Sequence, residues 1–189
     1  PVRPRVPVGP TIQEAGGNAA PVRTYQDLLQ DAHDEALFDY YFTSQLAIVN
    51  VVTGSVVTIG EPGIIDNVEP SPNGEFLLVT RTVRPYSYLV PLTAFPKVIE
   101  VWDTKGRVVH ELASLPLAEG VPIGGVRTGP RAVSWQALAP ATLVWAEALD
   151  GGDPRRKVQH RDRILALDAP FRGNPREIAK TEYRYAGIQ

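Results

Sequence analysis

At 189 residues the chain is long enough for one sizeable domain or for part of a larger one, and its formal net charge of −2 gives no polyelectrolyte signature for nucleic acid or an anionic membrane surface. No uninterrupted apolar run approaches the ~18 residues that a membrane-spanning helix needs. The absence of Cys excludes disulfides, thiolate catalysis and cysteine-ligated metal, while 16 Gly and 18 Pro favour many turns over long helices.

Residues 1–23 are rich in Pro, Gly and Ala with little periodicity, and read as an extended linker. Pro1 has no Met before it and no signal-peptide pattern follows, so the chain is expected to be an interior or processed piece of a longer polypeptide. Thr24, with Asp27 three residues on, resembles a capping-box start. Tyr25, Leu28, Leu29, Ala36, Leu37 and Tyr40 then suggest one or two short amphipathic helices before residue 43.

From residue 44 the pattern changes to short strands. Residues 45–52 are apolar and β-branched, and Thr53-Gly54 turns them into residues 55–59. Further strands are predicted at residues 75–80, 97–102, 107–112, 131–136, 142–148 and 163–167. Shifting the sequence by 65 residues aligns Leu78-Val79 with Leu143-Val144 and Ile99-Glu100-Val101-Trp102-Asp103 with Ile164-Leu165-Ala166-Leu167-Asp168 without a gap. Val68 falls on Val133 and Arg107 on Arg172.

Each unit reads strand, turn, strand, long connection, strand, Asp or Asn turn, strand. The expected fold class is therefore all-β: a partial β-propeller of four-stranded antiparallel blades, about two to three in number, with a short helical N-terminal insertion. The expected division is a linker and helical segment over 1–43 and blades over 44–189. Within the latter, the blade-like units span about 44–60, 63–115 and 128–181, and a further blade starts at 183–189. The competing architecture is a self-contained β-sandwich of about eight strands.

No catalytic residue is expected in this chain. Ser44, Ser55, Ser71, Ser87, Ser114 and Ser134 all fall in strands or turns, and none sits in the Gly-x-Ser-x-Gly setting of a nucleophile elbow. His33, His110 and His160 are isolated, no metal-ligand spacing is present, and no cofactor is expected. Gly16-Gly17 and Gly124-Gly125 lack the residues of a phosphate loop. The acidic turn at Leu149-Asp150-Gly151-Gly152-Asp153-Pro154 lacks the remaining ligands of a calcium loop and reads as a hairpin tip. Arg155-Arg156-Lys157 reads as a solvated loop.

The connection Arg81-Thr82-Val83-Arg84-Pro85-Tyr86-Ser87-Tyr88-Leu89-Val90-Pro91 carries more chemistry. Arg81 and Arg84 with Tyr86 and Tyr88 suit recognition of a substrate carboxylate by charge-assisted hydrogen bonds beside a stacking wall. Arg127 is a further candidate for that role. The alternative for the tyrosines is packing of the loop against the next blade.

Several stretches resemble the glutamyl endopeptidases of plant chloroplasts and bacteria, serine peptidases of the prolyl oligopeptidase superfamily. They are Thr24-Tyr25-Gln26-Asp27-Leu28-Leu29, Leu37-Phe38-Asp39-Tyr40-Tyr41, Thr43-Ser44-Gln45-Leu46, Arg84-Pro85-Tyr86-Ser87-Tyr88, Phe95-Pro96-Lys97, Val101-Trp102, Leu115-Pro116-Leu117-Ala118-Glu119, Pro140-Ala141-Thr142-Leu143, Trp145-Ala146-Glu147 and Asp150-Gly151-Gly152-Asp153. They occur in the family's order through almost the whole chain; Leu138 departs, standing where the family's turn usually carries Asp. The resemblance implies an N-terminal propeller that restricts access to a C-terminal α/β-hydrolase with a Ser–Asp–His triad. This chain would lie within the propeller, with blades before Pro1 and further blades plus the hydrolase after Gln189. Its expected partners are those remaining parts of the same polypeptide and peptide substrates, not nucleic acid or membrane. The alternative is a non-catalytic propeller-like scaffold that binds proteins. The Arg-rich, Met-free composition suggests a GC-rich bacterial genome, where such peptidases are often exported; a periplasmic or secreted location is favoured.

Overall fold

A computed structural model of the protein describes residues 25–187. The expected linker over residues 1–23, the expected cap at Thr24 and the last two residues lie outside that range. The helix begins later than the sequence pattern suggests. α1 (Ala32–Phe42) starts after Asp31, whose carboxylate accepts from the N–H groups of His33 and Asp34 at 2.8 and 3.0 Å. Asp is a preferred cap because its side chain satisfies donors that the first helical turn leaves orphaned. Asp34 and Glu35 in the first turn add favourable charge at the positive end of the helix dipole.

Among the described residues nine strands form two antiparallel sheets. The first comprises β1 (Thr43–Val49), β2 (Val56–Pro70), β3 (Phe76–Thr82), β4 (Lys97–Asp103) and β5 (Val108–Leu115), neighbours in chain order. The second comprises β6 (Arg131–Trp135), β7 (Thr142–Ala148), β8 (Asp162–Asp168) and β9 (Arg176–Thr181), ordered likewise. β4 and β8 keep the 65-residue offset at both ends.

The first sheet departs from the expected four strands. Gly60-Glu61-Pro62-Gly63 looks like a break between two units, yet β2 runs through it and carries β1 as a fifth strand. The reason is a bulge: Ser44 pairs with Gly63 and Leu46 with Ile59, so β2 sets residues 60–62 against Gln45 alone in β1. Pro62 is tolerated there because a bulged residue need not donate to the ladder. The Gln45 side-chain amide donates to the Gly60 carbonyl at 2.9 Å and bridges the gap. At Gly60, with φ +64°, an added Cβ would lie 2.2 Å from the ring of Trp102, so the backbone passes directly over that indole.

A second bulge leaves Asp66 between the pairs Ile65–Arg81 and Asn67–Thr80. Its carboxylate accepts from Thr82 Oγ1 at 2.9 Å and from Lys97 Nζ.

The two sheets pack face to face. Leu78, Ile99, Val101 and Leu115 from the first meet Leu143, Trp145, Leu165, Leu167 and Phe171 from the second. Alternation of side chains along a strand sends Val144, Ala146, Ile164 and Ala166 to the opposite face of the second sheet, where they form another buried cluster with Tyr185 packed on it. Both faces of this sheet are therefore apolar. A third cluster, Phe38, Ile64, Tyr86 and Phe95, fastens α1 to β2 and to the connection between β3 and β4.

Candidate functional site

Adjacent antiparallel strands put alternate connections at opposite ends of the sheets. The short turns β2–β3 and β6–β7 share one end, where the Asn73 N–H donates to the Pro140 carbonyl at 3.0 Å. The three long connections, residues 83–96, 116–130 and 149–161, gather at the other. There the Ala118 N–H donates to the Ala94 carbonyl and the Val126 N–H to that of Gly152. This rim holds most of the candidate residues and is where irregular backbone can present side chains.

Arg84 and Tyr86 meet, but in the company of two acids from α1. Arg84 is paired with Glu35 and, at 2.6 Å, with Asp39; its guanidinium lies 4.6 Å from the centre of the Tyr86 ring. The Tyr86 hydroxyl donates to the other oxygen of Asp39. The Asp39 hydrogen bond, opposed by burial and helped by Glu35, raises the pKa of Arg84 above its ordinary value. Burial followed by the Asp39 carboxylate raises that of Tyr86. Two acids against one base leave this cluster net negative, and its arginine already holds carboxylates. Glu35 and Asp39 lie 49 and 45 residues from Arg84, so no local pattern in the sequence announces them.

Arg81 lies on β3, apart from this cluster. Its Nε and Nη2 donate to the two carboxylate oxygens of Glu100, both at 3.0 Å, and Trp102 Nε1 donates to the same carboxylate at 2.9 Å. The second sheet repeats the device: Arg163 donates to Glu147, which also accepts from Trp145 Nε1 at 3.0 Å. In the first sheet Trp and Glu stand on β4 and Arg on β3; in the second, Trp and Glu stand on β7 and Arg on β8. Both trios look the same way along the stack. Trp145 faces the first sheet, whereas Glu100 and Trp102 alternate with Ile99 and Val101 and therefore face away from the second.

Tyr88 is half-buried in the same connection as Tyr86. Arg127, in the connection between the sheets, donates from Nη2 to the carbonyls of Phe95 and Pro116 at 3.1 and 2.6 Å. It lines a cavity of about 290 Å³ with Tyr25, Thr93 and Glu119, and a second of about 220 Å³ with Pro116 and Thr128. Burial lowers its pKa below the ordinary value. Among the described residues no group of three His, Asp or Glu side chains is placed to hold a metal ion.

The acidic hairpin tip is a folding element. Asp150 is fully buried and accepts from Arg161 at 2.9 Å, from Arg184 at 2.6 Å and from the Gly152 N–H at 2.9 Å. Asp162, also fully buried, takes Arg184 at 2.8 Å and pairs with Arg131 at 2.7 Å. Burial alone would raise both carboxyls; these hydrogen bonds and cations outweigh it and hold both below the ordinary carboxylate range. Arg184 thereby ties residues 183–187 to the second sheet.

The chain matches two plant proteins over its whole length. One is "Probable glutamyl endopeptidase, chloroplastic" of Oryza sativa subsp. japonica, 44% identical over 192 residues. The other carries the same description in Arabidopsis thaliana and is 44% identical over 193 residues. The chain is related to both of these probable glutamyl endopeptidases. The alignments cover 99% and 100% of this chain but 20% of each relative, so the chain spans about a fifth of the length of the curated relatives it matches. No family model matches it, and no solved structure is significantly similar to it.

Proposed function

We propose that this chain is a β-propeller segment of a serine peptidase that cleaves peptides after Glu, and that it limits access to a separate α/β-hydrolase domain of the same polypeptide. The observation that carries the reading is the second sheet, apolar on both faces: one covered by the first sheet, the other presenting Val144, Ala146, Ile164 and Ala166. A two-layer sandwich turns polar residues outward on its outer faces. Sheets stacked in series, as in a propeller, need both faces apolar. The like-facing Trp–Glu–Arg trios and the 65-residue step between β4 and β8 support the same arrangement. The relatedness along the whole chain to proteins described as probable glutamyl endopeptidases, over a fifth of their length, supports the larger enzyme.

In this reading hydrolysis proceeds through an acyl-enzyme formed by a serine outside the chain. The residues here shape the approach and contribute no group to the bond being broken. The full-length protein should cleave a fluorogenic Glu-containing peptide and lose that activity to a serine-directed phosphonate. A protein that does neither is not this enzyme.

A further inference from the structure

Arg127 differs from the other rim and core arginines. Arg84, Arg131, Arg161, Arg163 and Arg184 each hold a carboxylate. Arg127 has only the carbonyls of Phe95 and Pro116, both taken by Nη2; Nε and Nη1 have no hydrogen-bond partner among the described residues. Those carbonyls fix the guanidinium between the two cavities, so its orientation is set before any ligand arrives. A cation partly stripped of water, with no counter-charge, gains more from an incoming anion than a solvated one does. Its lowered pKa has the same origin.

The larger cavity supplies a complementary group. Glu119 lines it and accepts from Ser87 Oγ, which holds the carboxylate in place. It forms no ion pair with Arg127. The cavity thus presents a fixed cation and, separately, a fixed acceptor. An acidic side chain on a peptide backbone matches that pair: a carboxylate for Arg127 and an amide N–H for Glu119.

We propose that the Arg127 cavity binds the side-chain carboxylate of an acidic peptide, with Nε and Nη1 of Arg127 as donors and Glu119 accepting a backbone N–H. That the ligand is a peptide rests on the peptidase reading above; the carboxylate preference rests on the cavity.

The test uses the full-length protein after treatment with a serine-directed phosphonate, titrated calorimetrically with acetyl-Ala-Glu-Ala-amide and acetyl-Ala-Gln-Ala-amide. The Glu peptide should bind at least about tenfold tighter, the scale of a hydrogen bond to a charged group. Arg127→Gln, which retains an amide donor for the Phe95 and Pro116 carbonyls, should bring the two peptides within about twofold of each other. An unchanged ratio in that variant overturns the proposal, as does a parent with no Glu preference. A reading independent of any substitution comes from phenylglyoxal. Arg127 should be modified in the unliganded protein and protected by the Glu peptide but not by the Gln peptide; equal modification in both overturns the site. A protein that binds the Glu peptide through Arg127 without hydrolysing it keeps the site and loses the peptidase. A protein that hydrolyses it with discrimination indifferent to Arg127 does the reverse.

Discussion

The indole N–H of Trp135 donates to the backbone carbonyl of Glu69 at 3.0 Å, joining β6 of the second sheet to β2 of the first across 66 residues of sequence. One side chain thus fixes the two sheets relative to each other at the start of the second. Trp135 also packs on Phe171, which receives Phe76 edge-on and His110 in a stacked arrangement. These aromatic contacts close the apolar layer between the sheets at the end away from the rim.

Phe171 is 4% exposed and sits at φ +62° in the connection before β9. Phe171→Ala should destabilise the protein by about 3–5 kcal/mol, the usual range for emptying a buried aromatic site. A urea midpoint within error of the parent would show that the layer closes without it.

Gly60 faces Trp102 from a left-handed backbone conformation. Gly60→Ala should cost about 1–3 kcal/mol through overpacking and strain together. It should also alter the near-ultraviolet circular dichroism of the tryptophans. An unaltered spectrum with unaltered melting would mean that the hairpin β1–β2 does not lie over the indole.

Asp150 stands fully buried between Arg161 and Arg184. Asp150→Asn keeps the shape and removes the charge, leaving two cations short of a partner; a loss of about 3–5 kcal/mol is expected. Residues 183–187 should then lose protection in hydrogen exchange before the strands do. Uniform loss across the second sheet would contradict the anchoring role of Arg184.

The protein should weaken on acidification in two steps. Burial depresses the pKa of His110, partly offset by Glu111, so the unfolded chain takes up this proton first. That contribution is complete above the ordinary histidine value of about 6.5 and is lost as pH falls below it. The depressed Asp150 and Asp162 carboxyls contribute fully above about pH 4, and their share is lost on further acidification. Chemical denaturation between pH 3 and 8 checks both steps, and His110→Gln should flatten the upper one alone.

Much of the strand layout was legible because strand patterns are local. Ile99-Glu100-Val101-Trp102-Asp103 and its counterpart at residue 164 announce β4 and β8, since a strand buried on both faces must be apolar at successive positions. Gly60 and Pro62 misled for the opposite reason: both signal a turn, and only pairing with β1 shows that they form a bulge. Leu138, standing where the family's turn usually carries Asp, is 99% exposed. The candidate site was less legible. Arg127 could be named as an arginine in a loop, but its want of a carboxylate, like Arg84's possession of two, depends on residues brought together only by folding. Asp150 reads in sequence as part of a hairpin tip; Arg184, 34 residues on, makes it a core residue.

The like-facing Trp–Glu–Arg trios give the pair of sheets a direction. In each sheet a polar-tipped tryptophan stands on one face, Trp102 beneath the backbone of Gly60 and Trp145 against the first sheet, while the other face is plain aliphatic. Such a head-to-tail contact, unlike a two-fold one, contains no instruction to stop; it either closes into a ring or continues as a filament. In the proposed propeller the number of sheets must therefore be set at the ends of the series, because the joint between its members is indifferent to the count.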